Sequence, residues 1–349
     1  MAGTTKEETL PVAGPKRSRA WLQRGLELTI SAVCLWLALR AIDFEALWGA
    51  LKAAQWVWLI PAVLGITAMM FIKAWRWQIL FLPEHRVPFD SVFTAQSAGY
   101  LASNVFPGRV GELVRLVLLA SEQPVGGARV LSTIVVERLL DILSCLAVLV
   151  LLLPFVELPP LIMRSAYVLG IGALAASGVI LLLSFWKARV LGWAHAILRY
   201  IRFLDRPGVY TALEHLIDGF AALRGRRGPA LVALSFAAWA AVIGEAWAVR
   251  MAVQSDAPFT SIVFAVVVTS LGMIAPSSPG YVGVFHFLVV ESLRPFGVAQ
   301  TEAMSIALIW HGVNYIVLSV TGLIMLAAHG TSLGQVVSKW RSRKDVTQD

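Results

Sequence analysis

The chain has 349 residues, of which 58% are hydrophobic and 14% charged, with a net charge of +8 and a mean hydropathy of +0.74. These values exclude an ordinary soluble domain and indicate an all-α polytopic membrane protein, in which excess Lys and Arg report orientation rather than nucleic-acid binding. Cys34 and Cys145 lie in apolar runs without a CxxC or CxxH neighbour, so no disulfide, metal site or cofactor is expected.

Residues 1–24 form a basic tail expected to be cytoplasmic. Residues 25–55 hold a first span, Leu26 to about Ile42, and an outer loop; Arg40-Ala41-Ile42-Asp43 is not a small-residue cleavage site, so the helix is expected to be retained. A second span covers Trp56 to Leu82, and its Lys73, Trp75, Arg76 and Trp77 read as an interfacial belt. From Pro88 the chain carries Asp90, Gln96, Ser97, Ser103 and Asn104 and reaches Pro107-Gly108, which cannot continue a helix; a short helix from Val110 to about Ala120 follows. Two such pieces predict a re-entrant hairpin, with two short spans as the alternative.

A clear span at 128–153 is followed by a loop at Pro154 to Pro160 and a span from Met163 to Trp186. Lys187 to Gly228 holds eight basic residues against three acidic, and reads either as an amphipathic helix on an anionic inner-leaflet surface or as a solvated loop. A span from Pro229 to Val253 contains Glu245; residues 258–296 repeat the earlier break with Pro276, Pro279, Gly280 and Gly283; a last span covers Ala303 to Ala328, and residues 329–349 are a second basic tail.

Self-comparison pairs Ala74-Trp75 with Ala246-Trp247, Pro88-Phe89 with Pro258-Phe259 and Pro107-Gly108 with Pro279-Gly280, at offsets of 172, 170 and 172 residues. Arg138 and Asp141 match His311 and Asn314 at an offset of 173. Residues 56–153 and 229–328 therefore read as two copies of a span, broken hairpin, span unit, joined by 154–228. With both tails and the basic connector inside, as their charge demands, the copies are inverted: about six full spans plus two broken hairpins, an arrangement of transporters with the substrate site at the repeat interface.

Polar residues at membrane depth are costly and mark candidate sites. Gly108 permits backbone geometry that side chains would forbid, Gly111 is a candidate beside it, and the start of the Val110 helix offers free N–H groups to a lipid phosphate. Arg109 and Arg115 are candidates for forked hydrogen bonds to that phosphate, with Asn104 adding an amide and Glu112 nearby; the bland alternative is that both arginines snorkel to headgroups. Arg138 falls about 15 Å into its span at 1.5 Å per residue, with Glu137 and Asp141 near it, as a substrate cluster or as a structural ion pair holding the repeats together. Pro279, Gly280, Gly283, His311 and Asn314 are the second-repeat counterparts, His311 as a titrating group or a buried hydrogen-bonded one. There is no HExxH, GxSxG or Walker A motif, so no enzyme activity is expected beyond a residual chance of lipid-modifying chemistry at the carboxylates.

Arg76-Trp77, Asn104-x-x-Pro-Gly-Arg-x-Gly-Glu112, Arg115, Glu137-Arg138-x-x-Asp141 and Pro279-Gly280-x-x-Gly283 together resemble the flippase-like transmembrane family named for the membrane region of lysylphosphatidylglycerol synthase, over nearly all of Ala20 to Ala328. The resemblance implies a bacterial inner-membrane protein that moves or handles lipids. It does not carry over synthase activity, because the chain has no room for a soluble aminoacyl-transferase domain. Phe285-His286 stands where other members often have an acidic residue. The expected function is a lipid translocase, with a non-transporting subunit that presents a lipid to a biosynthetic enzyme as the alternative.

Overall fold

The computed structural model describes residues 17–40, 42–82, 85–106, 110–157, 226–274 and 278–335, with scattered positions between 160 and 196. The expected span at 163–186 and the basic segment at 187–228 fall largely outside these residues, as do both ends of the chain. Among the described residues the structure is all-helical. The helices are α1 (Arg17–Leu39), α2 (Phe44–Ala53), α3 (Leu59–Phe81), α4 (Phe89–Val105), α5 (Val110–Glu122), α6 (Gly127–Leu152), α7 (Gly228–Val253), α8 (Phe259–Gly272), α9 (Val284–Leu293) and α10 (Gln300–Ala328).

Boundaries follow local chemistry. The segment after α1, expected as a loop, forms α2, because the Asp43 carboxylate accepts from the Glu45 and Ala46 amides at 2.9 and 3.0 Å and so caps a new helix start. Three helices are long and apolar enough to cross a membrane among the described residues: Trp56–Phe81, Gly228–Val253 and Gln300–Ala328. α6 has the length, at 26 residues, but interrupts its apolar surface with Glu137, Arg138 and Asp141.

Helices in lipid gain little from hydrophobic association, so close contact is made where side chains are small. Gly65 lets α3 lie against α7, where an added Cβ would fall 3.0 Å from the Ala241 carbonyl oxygen. Gly99 faces Arg115 and Gly111 faces both Gly99 and Ser103, a register that makes α4 and α5 an antiparallel hairpin. α3 packs on α4 as α7 packs on α8; α4 packs on α10 as α8 packs on α6; α5 meets α6 as α9 meets α10. The central core is Ala62, Ile66, Met70, Ala74, Trp77 and Phe81 of α3 against Leu231, Ala238, Ala246 and Val249 of α7.

Candidate functional site

Between the helices lies a cavity of about 420 Å³ with two unlike walls. The first is built by α3, α5 and α6. Asp141 accepts from Arg76 Nη2 at 2.6 Å and from Lys73 Nζ at 3.0 Å. Glu137, buried beside it, pairs with Arg115, and Arg76 Nη2 lies 3.8 Å from its Oε1. The Arg115 guanidinium stacks 4.0 Å over the Trp77 ring, and the Trp77 indole donates to Thr133 Oγ1 at 3.0 Å. Arg138 donates from Nε to Glu112 at 2.9 Å and keeps 44% of its side chain exposed, against 0% for Arg76 and 3% for Arg115. Four cations meet three carboxylates here, which leaves one positive charge in excess among the described residues. Arg138 is the member of the cluster most open to a ligand.

The second wall is uncharged and aromatic, formed by Tyr281, Phe285, His311 and Tyr315. His311 stacks on His286 at 4.8 Å and on Tyr315 at 6.1 Å, while Phe285 meets it edge-on at 5.2 Å. The approach to this wall is tightly folded: Gly280 and Tyr281 have φ of 66° and 60°. A left-handed tyrosine is strained, and such strain concentrates at functional positions. Asn314 donates from Nδ2 to Glu245 Oε1 at 2.6 Å and to the Trp310 carbonyl at 3.0 Å.

The family model described as the lysylphosphatidylglycerol synthase TM region matches residues 25–322. The chain belongs to this family. Neither a curated relative nor a solved structure matches it.

Of the positions singled out from sequence in this family member, Asn104, Gly111, Glu112, Arg115, Arg138, Asp141, Gly280, His311 and Asn314 line the cavity. Gly108 and Arg109 lie outside the described residues with Pro107, so their geometry plays no part in the site as described. Glu137 is behind the wall, and Pro279 belongs to the turn that carries Gly280. Gly283 faces elsewhere: with φ of 88° it is pressed on the Ser31 carbonyl of α1, which leaves no room for a Cβ. Asn104 lines the cavity, but its amide is spent on Ser319 Oγ at 2.9 Å and so ties α4 to α10. Arg115 likewise has its Nη2 committed to Glu137 and its face to Trp77.

Two expectations change. The belt reading of Lys73, Arg76 and Trp77 is overturned, because Arg76 and Trp77 are wholly buried and Lys73 points into the ion cluster; Trp75 alone of the four is exposed, at 55%. Nor do the Glu137 and Asp141 ion pairs hold the two halves together. They join α3, α5 and α6 within one half, and the contacts across to α7 are Arg76 Nη1 to Ser235 at 2.8 Å and Trp239 Nε1 to Ser144 at 2.8 Å. Lys73 and Glu245 had a readable signal: each directly precedes its copy of Ala-Trp at the offset of 172. The cavity aromatics carried none, since Tyr and Phe are common in any apolar helix.

Proposed function

We propose that this membrane protein is a lipid translocase that moves a phospholipid, or another polar lipid with an anionic headgroup, across the bacterial inner membrane and performs no covalent step itself. The reading rests on the cavity, which is bounded by both broken elements and carries its positive excess on one wall only. A volume of about 420 Å³ is typical of small-molecule sites, roughly 300–1,000 Å³. It holds a headgroup, while acyl chains stay in lipid. Asp141 and Arg138 on α6, and His311 and Asn314 on α10, stand in mid-helix, far from either end.

In this reading α3–α6 and α7–α10 are inverted repeats that rock about the cavity. The reciprocal packing of the halves supports this, as do the near-constant sequence offsets. The helices of both hairpins, at 17, 13, 14 and 10 residues, are each shorter than the ~20 needed to span, which supports re-entry. Positive charge at both ends and in residues 187–228 supports a cytoplasmic location for them, against anionic inner-leaflet lipid. The test is the purified full chain in liposomes with labelled phosphatidylglycerol and labelled lipids of other headgroup classes. Transfer between leaflets is expected; no movement of any class overturns the reading.

A further inference from the structure

Glu245 stands about two-thirds of the way along α7 and is 0% exposed. Its Oε1 accepts from Asn314 and the Trp310 indole lies beside it, yet its Oε2 is buried with no hydrogen-bond partner. On the α3 side the space is closed, since an added Cβ on Gly65 would fall 3.0 Å from the Glu245 Cβ. The charged and titratable groups on the helices packed against α7 are Lys73 and Arg76 of α3, Arg129, Glu137, Arg138, Asp141 and Cys145 of α6, Glu302, His311 and Tyr315 of α10, and Glu45 and Lys52 of α2; α8 has none. Among the described residues none forms an ion pair with Glu245. Lys73, Arg76 and Arg138 are instead engaged with carboxylates in the first wall.

A lone carboxylate in so dry a place is costly, and such a group neutralises itself by taking up a proton. A protonated carboxyl keeps one acceptor oxygen and turns the other into an O–H. The Asn314 donor suits the acceptor oxygen Oε1, and an unpaired neutral O–H at Oε2 costs far less than an unpaired negative charge there. We propose that Glu245 is a proton-binding site coupled through Asn314 to occupancy of the cavity. Asn314 lines the cavity, and both of its amide hydrogens are in use, on Glu245 and on the Trp310 carbonyl. A hydrogen bond to an ionised oxygen is about twice as strong as a neutral one. When the carboxylate binds a proton to become a carboxylic acid, its hold on Asn314 weakens, so a headgroup in the cavity competes more easily for that N–H. Proton and lipid then favour each other's binding, and by linkage the coupling is mutual.

The proton site stands independently of transport, whereas its coupling rests on the translocase reading. Infrared difference spectra of the full chain in phosphatidylcholine vesicles, titrated with acid, should show a carboxylic-acid carbonyl band that is missing in Glu245→Gln. Absence of that band from the wild type, or its persistence in Glu245→Gln, overturns the proposal. In vesicles carrying labelled phosphatidylglycerol, wild-type transfer should rise as pH falls, by at most about tenfold per unit for one coupled proton. Glu245→Gln should remove that dependence, and Asn314→Leu should remove it while keeping the infrared band. Transfer in the wild type that ignores pH overturns the coupling. If no variant moves any lipid, the translocase reading fails and the infrared result still decides the proton site.

Discussion

Lys73 Nζ lies 3.0 Å from Asp141 Oδ2, so a lysine from mid-α3 is part of the cavity wall and not of the membrane surface. The matching positions in the second half, Glu245 and Asn314, also touch, at 2.6 Å. The helix pairs α3–α6 and α7–α10, related by the sequence offset, thus each carry a polar link of different chemistry. An ion pair in one becomes a carboxyl and an amide in the other.

Arg76 is the hub of the first wall. It makes the shortest contact to Asp141 and also bonds Ser235. Removing one partner from a buried ion pair costs about 3–5 kcal/mol, less what Lys73 and Arg115 still compensate at Asp141 and Glu137. Arg76→Met should therefore lower the thermal unfolding midpoint of the detergent-solubilised protein sharply. An unchanged midpoint would show that the Asp141 pairing has little structural weight.

Arg138 should behave oppositely. Its side chain is 44% exposed and its bond to Glu112 is of the open kind, worth ~0–1 kcal/mol. Arg138→Gln should leave the melting temperature nearly in place yet slow lipid transfer by about tenfold or more, the equivalent of about 1.4 kcal/mol. Equal transfer by the two proteins would remove Arg138 from the site.

The α4–α5 hairpin closes at Gly111, where a methyl group would run into the Gly99 carbonyl and Ser103 Oγ. Gly111→Ala should force the two helices apart at a cost of about 1–3 kcal/mol. The check is a fall in melting temperature together with faster amide hydrogen exchange in both helices. Exchange confined to α5 would contradict the packing.

His329, just past the end of α10, reaches back to Asp90 in the first turn of α4 at 2.9 Å. Burial disfavours its charge, but the Met325 carbonyl and the Asp90 carboxylate outweigh this and hold it above the ordinary histidine range. The contribution to stability is fully present below the unfolded value of ~6.5 and is lost as pH rises through the higher folded value. Melting temperature should accordingly fall across that window in the wild type, and His329→Gln should flatten this part of the profile. A profile that is the same in both proteins would count against the contact.

The helix plan was legible in the chain because its signals are local. The end of α4 and the start of α5 flank Pro107-Gly108, and α6 and α7 begin and end within a residue or so of the apolar runs. Asp43 held the signal for α2, an N-cap followed by Phe44 and Glu45, but the short stretch up to Gln55 read as part of an outer loop. The mid-helix position of Arg138 and Asp141 was also readable, since rise per residue fixes distance along a helix axis.

What the sequence alone determined is where the chain breaks and which polar residues lie far from a helix end. Only the tertiary structure decided what those residues meet: Arg76 and Arg115 turn inward to Glu137 and Asp141, Asn104 binds α10, Gly283 faces α1, and Glu245 is left with an amide. The reason is geometric. Breakers and apolar runs act on their own backbone, whereas a charge at membrane depth is satisfied by whichever neighbouring helix faces it, and that depends on helix rotations set by small-residue contacts such as Gly65 on α7.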